Sequence, residues 1–143
     1  MSGRRRGAAG HRTLPHTADL IVEAWGPTRE ACLAQAVRGL VAAFADVTGA
    51  VSTGSVAVAV AGADDEQLLV RLLEEVVYAV EVGGVVPVDV RLEERAGGLA
   101  GTLQVAPLEA VQVVGAIPKA VTWHGLRVGR HAAGWWCRVT VDV

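Results

Sequence analysis

The sequence contains no asparagine, so it offers no Asn-X-Ser/Thr acceptor for N-glycosylation. It is short of charge, at 20% of residues, and rich in apolar side chains, at 52%. Disorder requires the opposite balance. No apolar run approaches the roughly 20 residues that span a bilayer. The richest one, Ala31 to Val47, is interrupted by Gln35, Arg38 and Asp46. Arg4, Arg5 and Arg6 are not followed by an apolar segment, so a secretory signal is not expected. There are two cysteines, Cys32 and Cys137, with no C-x-x-C pairing. Each falls on an apolar stripe and reads as a reduced core thiol of a cytosolic protein. There is no GxxxxGK[ST], GxGxxG, HExxH or GxSxG. The four histidines form no zinc pattern with two distant cysteines. No self-contained catalytic constellation is visible, so the chain is not expected to be an enzyme by itself.

The 143 residues suffice for one domain with a core. Residues 1–12 read as a flexible basic tail, and 13–143 as one domain without repeats or linkers. The net charge is −2, and Arg4, Arg5, Arg6 and Arg12 contribute four positive charges ahead of the first acid, Asp19. The body from residue 13 onward is therefore at −6. An acidic body is a poor solitary binder of nucleic acid and suits docking on a basic partner.

A first strand is expected over about Leu20 to Trp25, closed by Gly26-Pro27. Thr28 then caps a helix whose face carries Leu33, Val37, Leu40, Val41 and Phe44, ending near Asp46 to Gly49. Val56, Val58 and Val60 mark a short strand. Asp64-Asp65 cap a second helix with the face Leu68, Leu69, Leu72, Leu73, Val76, Val77 and Val80, stopped by Gly83-Gly84. Val88, Val90 and Leu92 alternate with polar residues, Gly97-Gly98 turns the chain, and Leu99, Leu103 and Val105 return. Ala120 to Val128 is a strand whose phase slips near Gly125, the mark of a bulge. In the last strand Trp135, Cys137, Val139, Val141 and Val143 share one face, and Trp136, Arg138, Thr140 and Asp142 the other. The result is a single-domain α+β fold with two helices packed on a mixed or antiparallel sheet.

The candidate site lies at the strand ends. Asp142 and the terminal carboxylate of Val143 repel at close range unless water or a cation screens them. Asp19 can add a third oxygen ligand if the first and last strands are neighbours. An all-oxygen set favours calcium, magnesium or manganese over zinc. His16 is a ligand, an orienter of Asp19, or a turn residue, with the orienter role ranked first. His124 reads as an ordinary strand histidine, Lys119 as a solvated edge residue, and Trp123, Trp135 and Trp136 as core.

These residues also carry a resemblance. HTADLIVEAWGPTREACLAQA from His16, KAVTWHGLRV from Lys119 and the closing VTVDV resemble, in that order and spacing, the archease family. The likeness covers about residues 16–143. Pro118 stands where the family usually has a β-branched residue. The resemblance implies a small cytosolic accessory protein of the GTP-dependent RNA-splicing ligase, promoting ligase guanylylation and multiple turnover in tRNA splicing and RNA repair. RNA is then met only through the ligase, and no membrane is involved. It implies a divalent-cation site, calcium first and magnesium or manganese next, with Asp19, Asp142 and Val143 as ligands. Lys119 matches a lysine implicated in activation, His16 and His124 match motif histidines, and Asp46 stands where the family often has an acid. Two other readings are a chaperone or interaction module independent of metal, and a metal-dependent hydrolase.

Overall fold

The computed structural model describes residues 8–15 and 19–143. Four strands build one antiparallel sheet: β1 (Gly10–Pro15), β2 (Asp19–Gly26), β8 (Ala120–His131) and β9 (Gly134–Asp142), in the order β1-β2-β9-β8. A second antiparallel sheet joins β4 (Gly54–Ala61), β6 (Gly98–Pro107) and β5 (Val85–Arg95), in the order β4-β6-β5. The short strands β3 (Ala45–Asp46) and β7 (Gln112–Val113) pair with each other. The helices are α1 (Arg29–Phe44) and α2 (Asp65–Glu81).

The expected α+β class holds, and all described strand pairs are antiparallel. The strands divide between sheets rather than forming one. Helix α1 packs on β1, β2 and β9 of the larger sheet and on β5 of the smaller. Helix α2 packs on β8 and on β4 and β5. Contact with both sheets explains why the apolar residues of α1 exceed one stripe: Cys32, Leu33, Ala36, Val37, Leu40 and Phe44 are all buried.

The caps follow the sequence. Thr28 Oγ1 accepts the Ala31 N–H at 3.0 Å, and an Asp64 carboxylate oxygen accepts the Gln67 N–H at 2.8 Å. Gln67 in turn accepts the Ala63 N–H at 2.9 Å, fixing the chain as it enters α2. Pairing of β8 with β9 shifts between Thr122 and Arg127, and Gly125 there has φ +69°, a conformation natural to glycine.

Four expectations change. Residues 10–12 are not tail but strand: β1 pairs Arg12 with Glu23, and Arg12 Nε donates to the Glu23 carboxylate at 2.6 Å. Helix α1 ends at Phe44, before Asp46, because Ala45 is already extended. Trp123 is not core but 57% exposed, because the bulge turns it out of the strand's apolar phase, and Trp135 and Trp136 are half-buried rather than core. In β5 the bulge at Pro87–Asp89 buries Val86 and Val90 and leaves Val88 half-buried. The two cysteines are buried and unbridged, as expected. Hydrogen bonding to Cys32, then burial, push the Cys137 thiol well above its ordinary value.

Candidate functional site

Antiparallel register places residues of the four-stranded sheet in rows, and alternate rows share a face. The face turned away from Val22, Cys137 and Val139 carries one charged row at its end. Asp19 stands directly opposite Asp142, and Asp142 opposite Ala120. Directly opposed residues have Cβ atoms about 5 Å apart, and like charges so placed repel. The first and last strands expected in the sequence are thus neighbours, and two of the expected cation ligands sit side by side. Asp142 is exposed, and its neighbour across β8 is the small, exposed Ala120.

Lys119 joins this end through its backbone: its N–H donates to the Asp142 carbonyl at 2.8 Å. Pro118 is buried just before β8 begins, a position where a strand tolerates proline. Lys119 borders a hollow of about 270 Å³ with Glu74, Tyr78 and Glu81 of α2. His124 is exposed in the bulge, its N–H donating to Thr122 Oγ1 at 3.3 Å.

Asp46 follows α1 in β3, and the chain links its neighbourhood to Lys119. The Val114 N–H donates to the Phe44 carbonyl, and five residues later Lys119 binds Asp142. Five residues span at most about 18 Å. The Asp46 carboxylate accepts the Thr48 N–H at 3.0 Å, and hydrogen bonding from Thr48 holds its carboxyl below the ordinary value. It borders a cavity of about 510 Å³ with His11, Val41, Val90 and Val114. That cavity is distinct from the Asp19–Asp142 pair.

Among the described residues, no three His, Cys, Asp or Glu side chains cluster at metal-binding range. His16 lies outside the described residues. The two directly opposed carboxylates, Asp19 and Asp142, are oxygen donors of the kind that suit a hard cation rather than zinc.

Two rows further from the acids, sequence reasoning missed a second cluster. Arg12, Glu23, Arg138 and Arg127 form one row across all four strands. Glu23 is buried, its side chain 5% exposed, and it accepts from Arg12 and, at 3.3 Å, from Arg138 Nη1. The only signal was the polar phase of β9. The partners lie 11 and 115 positions away in sequence.

The geometry defines a small antiparallel α+β domain with paired acids at one strand end. Comparison with known proteins makes the family specific. Residues 11–143 match the archease protein family (MTH1598/TM1083). The chain is 42% identical to the probable protein archease of Mycobacterium tuberculosis over 143 residues, all of this chain and 80% of that protein. It is 30% identical to protein archease of Archaeoglobus fulgidus over 136 residues, 93% of this chain and 98% of that one. The fold is similar to the solution structure of Methanobacterium thermoautotrophicum protein 1598, with TM-score 0.74, 21% identity, and 94% and 99% of the two chains covered. It is also similar to a Thermotoga maritima crystal structure described as an archease and possible chaperone, with TM-score 0.65, 21% identity, and 91% and 94% covered. The chain belongs to the archease family. No helix among its described residues is long and apolar enough to cross a membrane.

Proposed function

We propose that this protein is a cation-holding activator of a GTP-dependent RNA ligase, working in the cytoplasm and promoting ligase guanylylation and multiple turnover. The observation that carries the reading is the meeting of Asp19, Asp142 and Lys119, residues up to 123 positions apart, at one sheet end. Asp19, Asp142 and the Val143 carboxylate would hold the ion, calcium first and magnesium or manganese next. The ion supplies positive charge where two acids otherwise repel, and so lets an acidic surface approach phosphate or ligase carboxylates. Lys119 offers a further exposed cation, its backbone tied to Asp142 and its side chain bordering the hollow with Glu74 and Glu81. His16 and His124 are kept as orienting or contact residues, and Asp46 as a further acid that would contribute to activation. The acidic body favours docking at a basic, RNA-binding mouth.

The test is a ligation time course with limiting ligase, GTP and excess RNA, comparing wild type with Asp19→Ala. Stimulation by wild type that disappears in the variant supports the reading. Unchanged stimulation by Asp19→Ala removes the cation site from it. A chaperone reading draws on the exposed apolar residues Tyr78, Val82 and Trp123. It predicts suppressed aggregation of unrelated proteins with no dependence on Asp19 or metal.

A further inference from the structure

The charge of the fold is divided between its sheets. Of the fifteen acids in the chain, only Asp19, Glu23 and Asp142 lie in the four-stranded sheet. The segment from Lys119 to Val141 carries Lys119, Arg127, Arg130 and Arg138, with three tryptophans and no carboxylate side chain. The acidity of the whole chain therefore conceals a basic region.

That region has an ordered face. The register gives the row Gly10, Trp25, Trp136, Gly129 and, next to it on the same face, the row Arg12, Glu23, Arg138, Arg127. Alternate rows are about 7 Å apart along a strand. A Cβ placed on Gly10 would stand 2.7 Å from the Trp25 ring, so that ring lies across β1 rather than upright. A Cβ on Gly129 would meet nothing within 4 Å, so the sheet is open beside Trp136. Trp25 and Trp136 stay partly exposed, as do Arg12 at 40% and Arg138 at 36%. Arg127 is exposed and, among the described residues, donates to its neighbour's carbonyl, Leu126 O, at 3.4 Å. Arg127 and Arg138 are directly opposed like charges, and among the described residues Glu23 pairs with Arg138 and Arg12. The row keeps an excess of positive charge over its one carboxylate, which an arriving anion would offset. Flat aromatic rings beside three guanidiniums that share the single Glu23 carboxylate, on an open sheet, are the elements that bind unstacked bases and their phosphates.

We propose that this face of the four-stranded sheet binds single-stranded nucleic acid directly, with Arg12, Arg127 and Arg138 on phosphates and Trp25 and Trp136 against bases. This goes beyond the ligase reading and departs from the expectation that RNA is met only through the ligase. The strand would run toward the Asp19–Asp142 end, about 14 Å from the arginine row.

The experiment needs no ligase, so its result is separate from the activator reading. Anisotropy of labelled single-stranded RNA and DNA oligonucleotides is titrated with the full chain across a range of salt. Arg127→Glu reverses the exposed charge, and Gly129→Asp sets a carboxylate in the open space beside Trp136. Arg91→Glu, exposed on the other sheet, is the control, and thermal melts confirm folding. We expect each of the first two variants to weaken binding about tenfold and Arg127→Glu to reduce the salt slope by about 0.7 or more, with Arg91→Glu near wild type. Equal loss for DNA and RNA leaves the proposal standing, because the rings and phosphates are shared chemistry. No binding by folded wild type at low salt overturns it. So does unchanged binding by both variants, or equal affinity for a polyglutamate peptide that displaces the oligonucleotide.

Discussion

Replacing Arg12 by alanine separates a structural strand from a flexible tail. Glu23 has a side chain only 5% exposed and depends on Arg12 Nε at 2.6 Å, with Arg138 Nη1 more distant at 3.3 Å. Arg12→Ala leaves the buried carboxylate with the longer contact alone. A hydrogen bond to a charged group contributes about 1.5–3 kcal/mol. Arg12 is itself 40% exposed, so water refills part of the space and the lower half of that range applies. The expected cost is about 1.5–2 kcal/mol. For a chain of this size each kcal/mol shifts Tm by roughly 2–4 °C, so the fall should be about 3–8 °C. Circular dichroism melts would read it, beside Arg127→Ala, which should stay within about 0.5 kcal/mol of wild type. Adding Glu23→Gln to Arg12→Ala should cost less than the two single changes together, by about 1 kcal/mol, because they share one interaction. A Tm unchanged within about 1 °C in Arg12→Ala would mean that the Arg12–Glu23 pair does not hold β1 to the sheet.

Leu72 is fully buried where α2 meets the sheets, and Leu72→Ala should cost about 2–5 kcal/mol in denaturant unfolding. The Asp89 carboxyl is held below its ordinary value of 3.8, first by hydrogen bonding from Arg38. A depressed folded value gives stability that is full above the unfolded value and lost as pH falls through the folded one. Wild type should therefore lose its advantage over Asp89→Asn below about pH 4, as acid titrations of both would show. In chelator, Asp142→Asn should melt slightly higher than wild type, by the roughly 0.2–1 kcal/mol that relief of an opposed like-charge pair provides. Adding calcium should stabilise wild type and not the variant, and the opposite order would count against a cation at this strand end. A peptide extension after Val143 removes the main-chain carboxylate, and calcorimetric calcium affinity should drop relative to an N-terminal extension.

Much of the fold was readable where one periodicity dominates. The caps Thr28 and Asp64, the face Leu68 to Val80, the alternation from Trp135 to Val141 and the slip at Gly125 are local signals, and each element stands where they put it. Strand β1 was not legible. GHRTLP has no apolar alternation, and its attachment depends on Arg12 reaching Glu23. The division into two sheets was equally hidden, because it follows from β2 choosing β9, more than a hundred residues away, over β4. Trp123 misled because alternation was carried through a bulge that interrupts it. The candidate site was half legible. Asp19 and Asp142 each open or close an apolar strand in matching phase, which made their meeting inferable. The Arg12–Glu23–Arg138 row joins three strands and leaves no trace in any one segment.

The pairing of β2 with β9 also bears on how the protein comes into being. Strand β9 lies inside its sheet, between β2 and β8, yet is last in chain order. While the chain is synthesised, β2 and α1 emerge early with Leu20, Val22 and Ala24 lacking the neighbour that completes their sheet. Contacts between residues so distant in sequence slow folding and lengthen the time that apolar surface and open strand edges stay exposed. The apolar face of β2 and α1 is thus completed only when residues 134–142 arrive.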